Sequence, residues 1–198
     1  MELCELKDLI KESDPKDFCT DFLFDDSMWL FESEIGAPFN GNYQSFREII
    51  SSELGIHSEN VSLVGSSKYG YSLSPKPEKY FRPFNEDSDL DVVIVDDELF
   101  VTTWEAFREA YYNGYTWIKG RHQSDVFRRF VVLLAEERYN TSYLRNIARM
   151  LDQMAVQVGL RTGISRSLKY RIYADWDAAL SYHAFGIETL QRKLENDT

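Results

Sequence analysis

Two aspartates with one residue between them, Asp89 and Asp91, stand at the entrance of an apolar run, Leu90-Asp-Val-Val-Ile-Val95. In a strand, residues i and i+2 share a face, so the two carboxylates project together while Leu90 points the other way. Their bases lie ~6–7 Å apart, and like charges this close disfavour each other's ionised form unless something positive intervenes. A divalent cation is the simplest answer. Magnesium takes a few carboxylate oxygens and keeps its other positions for water and phosphate, and two such ions ~3.5–4 Å apart clamp an in-line phosphoryl displacement. The plainer reading of Asp87-Ser88-Asp89 is a polar turn that leads into a strand. A calcium loop is excluded, although Asp87, Asp89, Asp91 and Glu98 take positions of the EF-hand pattern: the glycine it needs is replaced by Val92, which opens a β-branched run.

Phosphate chemistry also needs donors for the polyphosphate. Val61-Ser-Leu-Val64 reads as a strand and Gly65-Ser66 as the turn after it, where backbone N–H groups and a hydroxyl converge. A Gly-Ser turn alone is common as a tight connection; followed by an apolar strand that opens in Asp-x-Asp, it is far more specific.

An apolar strand ending in Gly65-Ser66, a connection, and then Asp89-Leu-Asp91 with apolar flanks resembles the nucleotidyltransferase superfamily, of DNA polymerase β-like fold. Gly65-Ser-Ser-Lys-Tyr-Gly70 and Ser88-Asp-Leu-Asp-Val92 look like motifs of a group of small bacterial members. The resemblance covers residues 61 to 95. It implies transfer of a nucleoside monophosphate from a nucleoside triphosphate to an acceptor hydroxyl of a nucleotide, an RNA or DNA end, or a protein. It further implies magnesium, or manganese in its stead, on Asp89 and Asp91. The triphosphate would lie on Gly65, Ser66, Ser67 and Lys68, in a bacterial toxin-antitoxin or phage-defence context, with a protein partner or a second copy of the chain as further associates. The sequence departs from the family in two places. The connection from Gly65 to Asp89 is long and carries Lys68, Lys76, Lys79 and Arg82, which suit either phosphate contact or a solvated loop. Family enzymes also take a third carboxylate from a later strand, whereas Leu168-Lys-Tyr-Arg-Ile-Tyr-Ala174 contains none. Asp175, at its end, is the candidate for that catalytic role, against the alternative of capping the final helix.

The elements that must position these residues are set by periodicity. Helices are expected over residues 2–12 and Tyr43–Leu54, the latter closed by Gly55, and from Asp96 through Tyr111. Two more are expected between Asp125 and Val158, the first carrying Phe127, Phe130, Val131 and Leu134, and a last one over Asp177–Leu194. Strands are expected at Val61–Val64, Leu90–Val95 and Ser167–Ala174. Gly36 to Gly41 reads as a turn-rich loop and Ser66 to Ser88 as a long excursion. The fold class is α/β (α+β), a small mixed sheet with helices on one face. Residues 1–60 form an N-terminal helical segment on a core of residues 61–198, with a helical insertion at 121–160.

With 198 residues, 43% apolar and 15% aromatic, the chain is long and apolar enough for a real core. A net charge of −11 argues against broad adhesion to nucleic acid or anionic membrane but leaves room for a local basic groove. Cys4 and Cys19 have no metal-ligand spacing, and no apolar run approaches a membrane span, so a cytoplasmic protein is expected. His57, His122 and His183 are scattered and support no hydrolytic triad. Tyr111, Tyr112, Tyr115 and Trp117, with Lys119, Arg121 and His122, suit either base stacking or a packed helix end. Lys169 and Arg171 share one strand face and suit phosphate, acceptor or surplus acids. The rival to an enzyme is a noncatalytic nucleotide- or partner-binding protein of the same fold, favoured where a basic side chain takes the third carboxylate's place.

Overall fold

The computed structural model describes residues 1–32, 40–133, 139 and 141–196. At its centre lies a mixed sheet of order β1-β2-β4-β3, built from β1 (Val61–Val64), β2 (Leu90–Val95), β3 (Phe130–Val131) and β4 (Leu168–Tyr173). β1 runs antiparallel to β2, β2 parallel to β4, and β3 antiparallel to β4. The expected strands are thus present, and β3 is added to them.

Alternation along β2 explains the layers. Leu90, Val92 and Ile94 enter a core with Phe46, Ile49 and Ile50 of α4 (Tyr43–Leu54), Phe107 of α6 (Asp97–Tyr112) and Leu151 of α8 (Ser142–Thr162). Val93 and Val95 enter a second core with Leu6 and Ile10 of α1 (Leu3–Glu12), Phe18 of α2 (Pro15–Phe18) and Leu190 of α9 (Trp176–Asn196). Helices therefore cover both faces, not one. The physical reason is the continuous apolar run Val92–Val95, which puts apolar side chains on both sides of β2 and leaves neither fit for water. The N-terminal residues divide between the layers, α1 and α2 on one and α4 on the other.

Capping fixes several boundaries. Asn42 accepts from Ser45 N at the start of α4, and Gly55 closes it with φ 72°. Asp96 caps α6 by accepting from Leu99 N. A five-residue π-helical turn, Cys19–Leu23, and α3 (Trp29–Glu32) lead out of α2. The helix expected to carry Phe127 to Val131 ends sooner: α7 (Trp117–Phe127) stops at Arg128, Arg129 takes a left-handed φ of 59°, and Phe130 and Val131 pair with β4. Leu134 and the loop positions Gly36 to Phe39 lie outside the described residues. The Ser66 to Ser88 excursion opens with α5 (Ser66–Tyr69) and is pinned at its neck, where Ser72 N donates to Arg82 O (2.9 Å) and Phe84 N to Gly70 O (2.7 Å).

Candidate active site

The sheet brings Gly65 and the aspartates together directly. In the β1–β2 register Val64 faces Asp91, and a Cβ built on Gly65 would meet Asp91 Oδ2 at 2.8 Å. Gly65 has φ 75° and ψ −146°, a conformation open to glycine and strained for other residues. Only a residue without a side chain lets the turn sit this close to the carboxylate. Asp91 projects on the α9 side of β2, with Val93 and Val95, and Asp89 stands just before the strand. Gly65, Ser66, Asp89 and Asp91 line one cleft of about 1030 Å³.

Other residues of the motif turn inward. Ser67 is buried and its hydroxyl donates to Val64 O at 2.9 Å. Lys68 is buried as well: its Nζ donates to Asp25 O (2.9 Å), the Asp25 carboxylate and Ser27 O. Lys68 thus ties the turn after the π-helix to α5 and does not line the cleft, contrary to a place on the triphosphate. Its four-carbon stem lies in the core, which holds the ammonium against Asp25 rather than in the cleft.

Asp175 does not join the aspartate pair. β4 runs parallel to β2 with Asp91 opposite Lys169, so the sheet advances about 13 Å from Lys169 to Tyr173 before Asp175 is reached. There it caps α9, accepting from Ala178 N at 2.7 Å, and pairs with Arg129 at 2.6 Å. It lines the far end of the same cleft. Among the described residues no three His, Cys, Asp or Glu side chains group as a metal site.

The positions from which β4 could add a third carboxylate carry cations. Lys169 Nζ donates to Asp89 Oδ2, and Arg171 Nη1 stands 3.8 Å from Asp91 Oδ1. Burial pushes the Asp91 carboxyl above its ordinary 3.8, against the opposing pull of Arg171 and Lys169 and with a push from Asp89. Lys169 is exposed and Asp89 partly so, and ion pairs at the surface contribute ~0–1 kcal/mol. Asp89 and Asp91 thus offer two oxygen donors of the kind a divalent cation takes, each with a cation already beside it.

His183, on α9, lines the cleft with Nε2 buried and unbonded, and burial, followed by Arg171, pushes its pKa down to about 3. It is neutral at ordinary pH and packs on Phe24, Tyr173 and Tyr182. The cleft also takes Arg128, Arg129, Phe127 and Phe185, which motif spacing did not single out. The Arg128-Arg129 doublet in an acidic chain was the available signal. The aromatic and basic cluster at residues 111 to 122 lies elsewhere: Tyr112 is exposed, His122 stacks on Phe107 at 4.1 Å, and none of its members lines the cleft. Among the described residues no helix is long and apolar enough to cross a membrane. Comparison with protein-family models, curated proteins and solved structures finds no match.

Proposed function

We propose that this protein binds a magnesium-bound nucleoside triphosphate at the mouth of the cleft. The observation that supports the reading is the close approach of the Gly65 turn to Asp91, where an added Cβ would meet Oδ2 at 2.8 Å, so that a turn able to donate to phosphate stands beside two carboxylates able to take a metal ion. Asp89 and Asp91 would hold the ion, whose charge would offset that of the phosphates. The turn offers N–H groups and the Ser66 hydroxyl to the β- and γ-phosphates. With two carboxylates as its protein donors, the ion needs phosphate oxygens to complete its ligands. Metal and nucleotide are therefore expected to bind together, each raising the other's affinity.

The fate of the bound nucleotide depends on the third position. Lys169 and Arg171 favour nucleotide binding without transfer, because neither takes a proton from an attacking hydroxyl as a carboxylate would. Transfer of the nucleoside monophosphate to an acceptor hydroxyl, with pyrophosphate released, is the second reading. It draws support from the meeting of Asp89, Asp91, Gly65 and Ser66 in one cleft.

Titration calorimetry with each common nucleoside triphosphate, with and without magnesium, tests the site, alongside a double Asp89→Ala, Asp91→Ala variant. Magnesium-dependent binding that the variant loses is the expected result. Binding unchanged in the variant overturns the assignment, and pyrophosphate release that requires both aspartates moves the conclusion to transfer.

A further inference from the structure

We propose that the same cleft is a binding groove for single-stranded nucleic acid, a partner separate from the nucleotide at the aspartate pair. The chain has a net charge of −11, yet the cleft is lined by six cations to four carboxylates. Three of those carboxylates are already engaged: Asp89 by Lys169, Asp91 by Arg171 and Asp175 by Arg129. Lys76, Lys79 and Arg82 on the 72–82 loop, and Arg128 after α7, have no ion-pair partner among the described residues. In a protein with so many surplus acids, four cations around one cleft that lack an ion-pair partner among the described residues, Arg128 having only the Tyr182 ring beside it, point to a polyanion brought from outside.

Charge alone would suit any polyanion, and the exposed rings choose among them. Phe127 is 88% exposed and Phe185 66% exposed, and both line this cleft. Large apolar rings held in water beside cations form a stacking platform, and unstacked bases are the aromatic groups that a polyanionic chain can offer. A duplex keeps its bases inside, so the strand must be single. The loop cations would take successive phosphates while Phe127 and Phe185 take bases.

Fluorescence anisotropy with labelled single-stranded RNA and DNA of about 12 nucleotides, a length within the site sizes of such grooves, tests the proposal across a salt series. Duplex of the same sequence and inorganic polyphosphate are the comparators. Tight binding of either single strand over both comparators is expected. A Lys76→Glu, Lys79→Glu, Arg82→Glu variant should lose roughly tenfold or more, and its log–log salt slope should fall by about 2. Phe127→Ala with Phe185→Ala should lose roughly thirtyfold or more with the slope unchanged. Both phenylalanines are exposed, so this variant is expected to fold as the parent does, which an unchanged unfolding midpoint checks. Asp89→Ala with Asp91→Ala should keep strand binding while losing the magnesium-bound nucleotide, which separates the two assignments. Polyphosphate or duplex binding as tightly as single strands, an unaffected phenylalanine variant, or no strand binding at low salt would each overturn the proposal.

Discussion

Gly65 sets the geometry of the site. Its φ of 75° and ψ of −146° cost other residues ~1–3 kcal/mol, and its missing Cβ leaves room for Asp91 Oδ2. Gly65→Ala is expected to destabilise by about that amount in urea unfolding and to weaken magnesium–nucleotide binding. Adding Asp91→Ala should relieve the contact but not the backbone strain; full recovery of stability would show the strain argument to be wrong. Asp91 carries a second expectation. Its folded pKa is raised, so its contribution to stability is present below the ordinary 3.8 and is lost as pH rises through the raised folded value. The proposed metal binding would need the carboxylate and would weaken as pH falls through that window. Asp91→Asn should therefore be more stable than the parent above the window and equal to it below. Unfolding curves across pH that run parallel would contradict this.

At the scale of elements, α5 depends on a long-range clamp. Lys68 reaches Asp25 and Ser27, 43 and 41 residues earlier in the chain, and its side chain has no exposure. Removing one partner of a buried charge pair costs ~3–5 kcal/mol, and the half-exposed Asp25 puts Lys68→Ala at the low end or below. Lys68→Met, which keeps the stem, should cost less and leave nucleotide affinity within about threefold, since ~1.4 kcal/mol would be tenfold. A larger loss of affinity would return Lys68 to the phosphates. No sequence pattern shows this clamp, because its partners meet only in the tertiary fold. The short β3 was hidden for a related reason: two residues carry no period, and its place is set by Arg129 and by pairing with Ile172 and Tyr173. By contrast α4 and β2 were legible to the residue, since caps and an apolar run mark their ends. Lys169 and Arg171 could be placed on one strand face, but their partners required the parallel register.

For the whole molecule, the decisive fact is that β2 feeds two cores from its two faces. Phe46 is fully buried on one side, and Phe46→Ala should cost ~3–5 kcal/mol. Because the sheet is shared, amides of α1 and α9, on the opposite layer, should lose hydrogen-exchange protection by the same free energy. Parent-like protection there would reveal two independent units. The same shared strand explains why the expectation of one covered face fell short: the run Leu90 to Val95 announced burial, but which helices supply each layer is a matter of topology. The parallel pairing has a consequence on the ribosome. Lys169 lies 80 residues beyond Asp89, and synthesis at ~5–20 residues per second leaves one edge of β2 waiting for ~4–16 s. During that interval a nascent apolar strand is open to pairing with its neighbours on a polysome. Asp87 and Asp89 before the strand, Asp91 near its start, and Asp96 and Asp97 after it put like charges where two such nascent strands would meet, which would disfavour their pairing until β4 arrives.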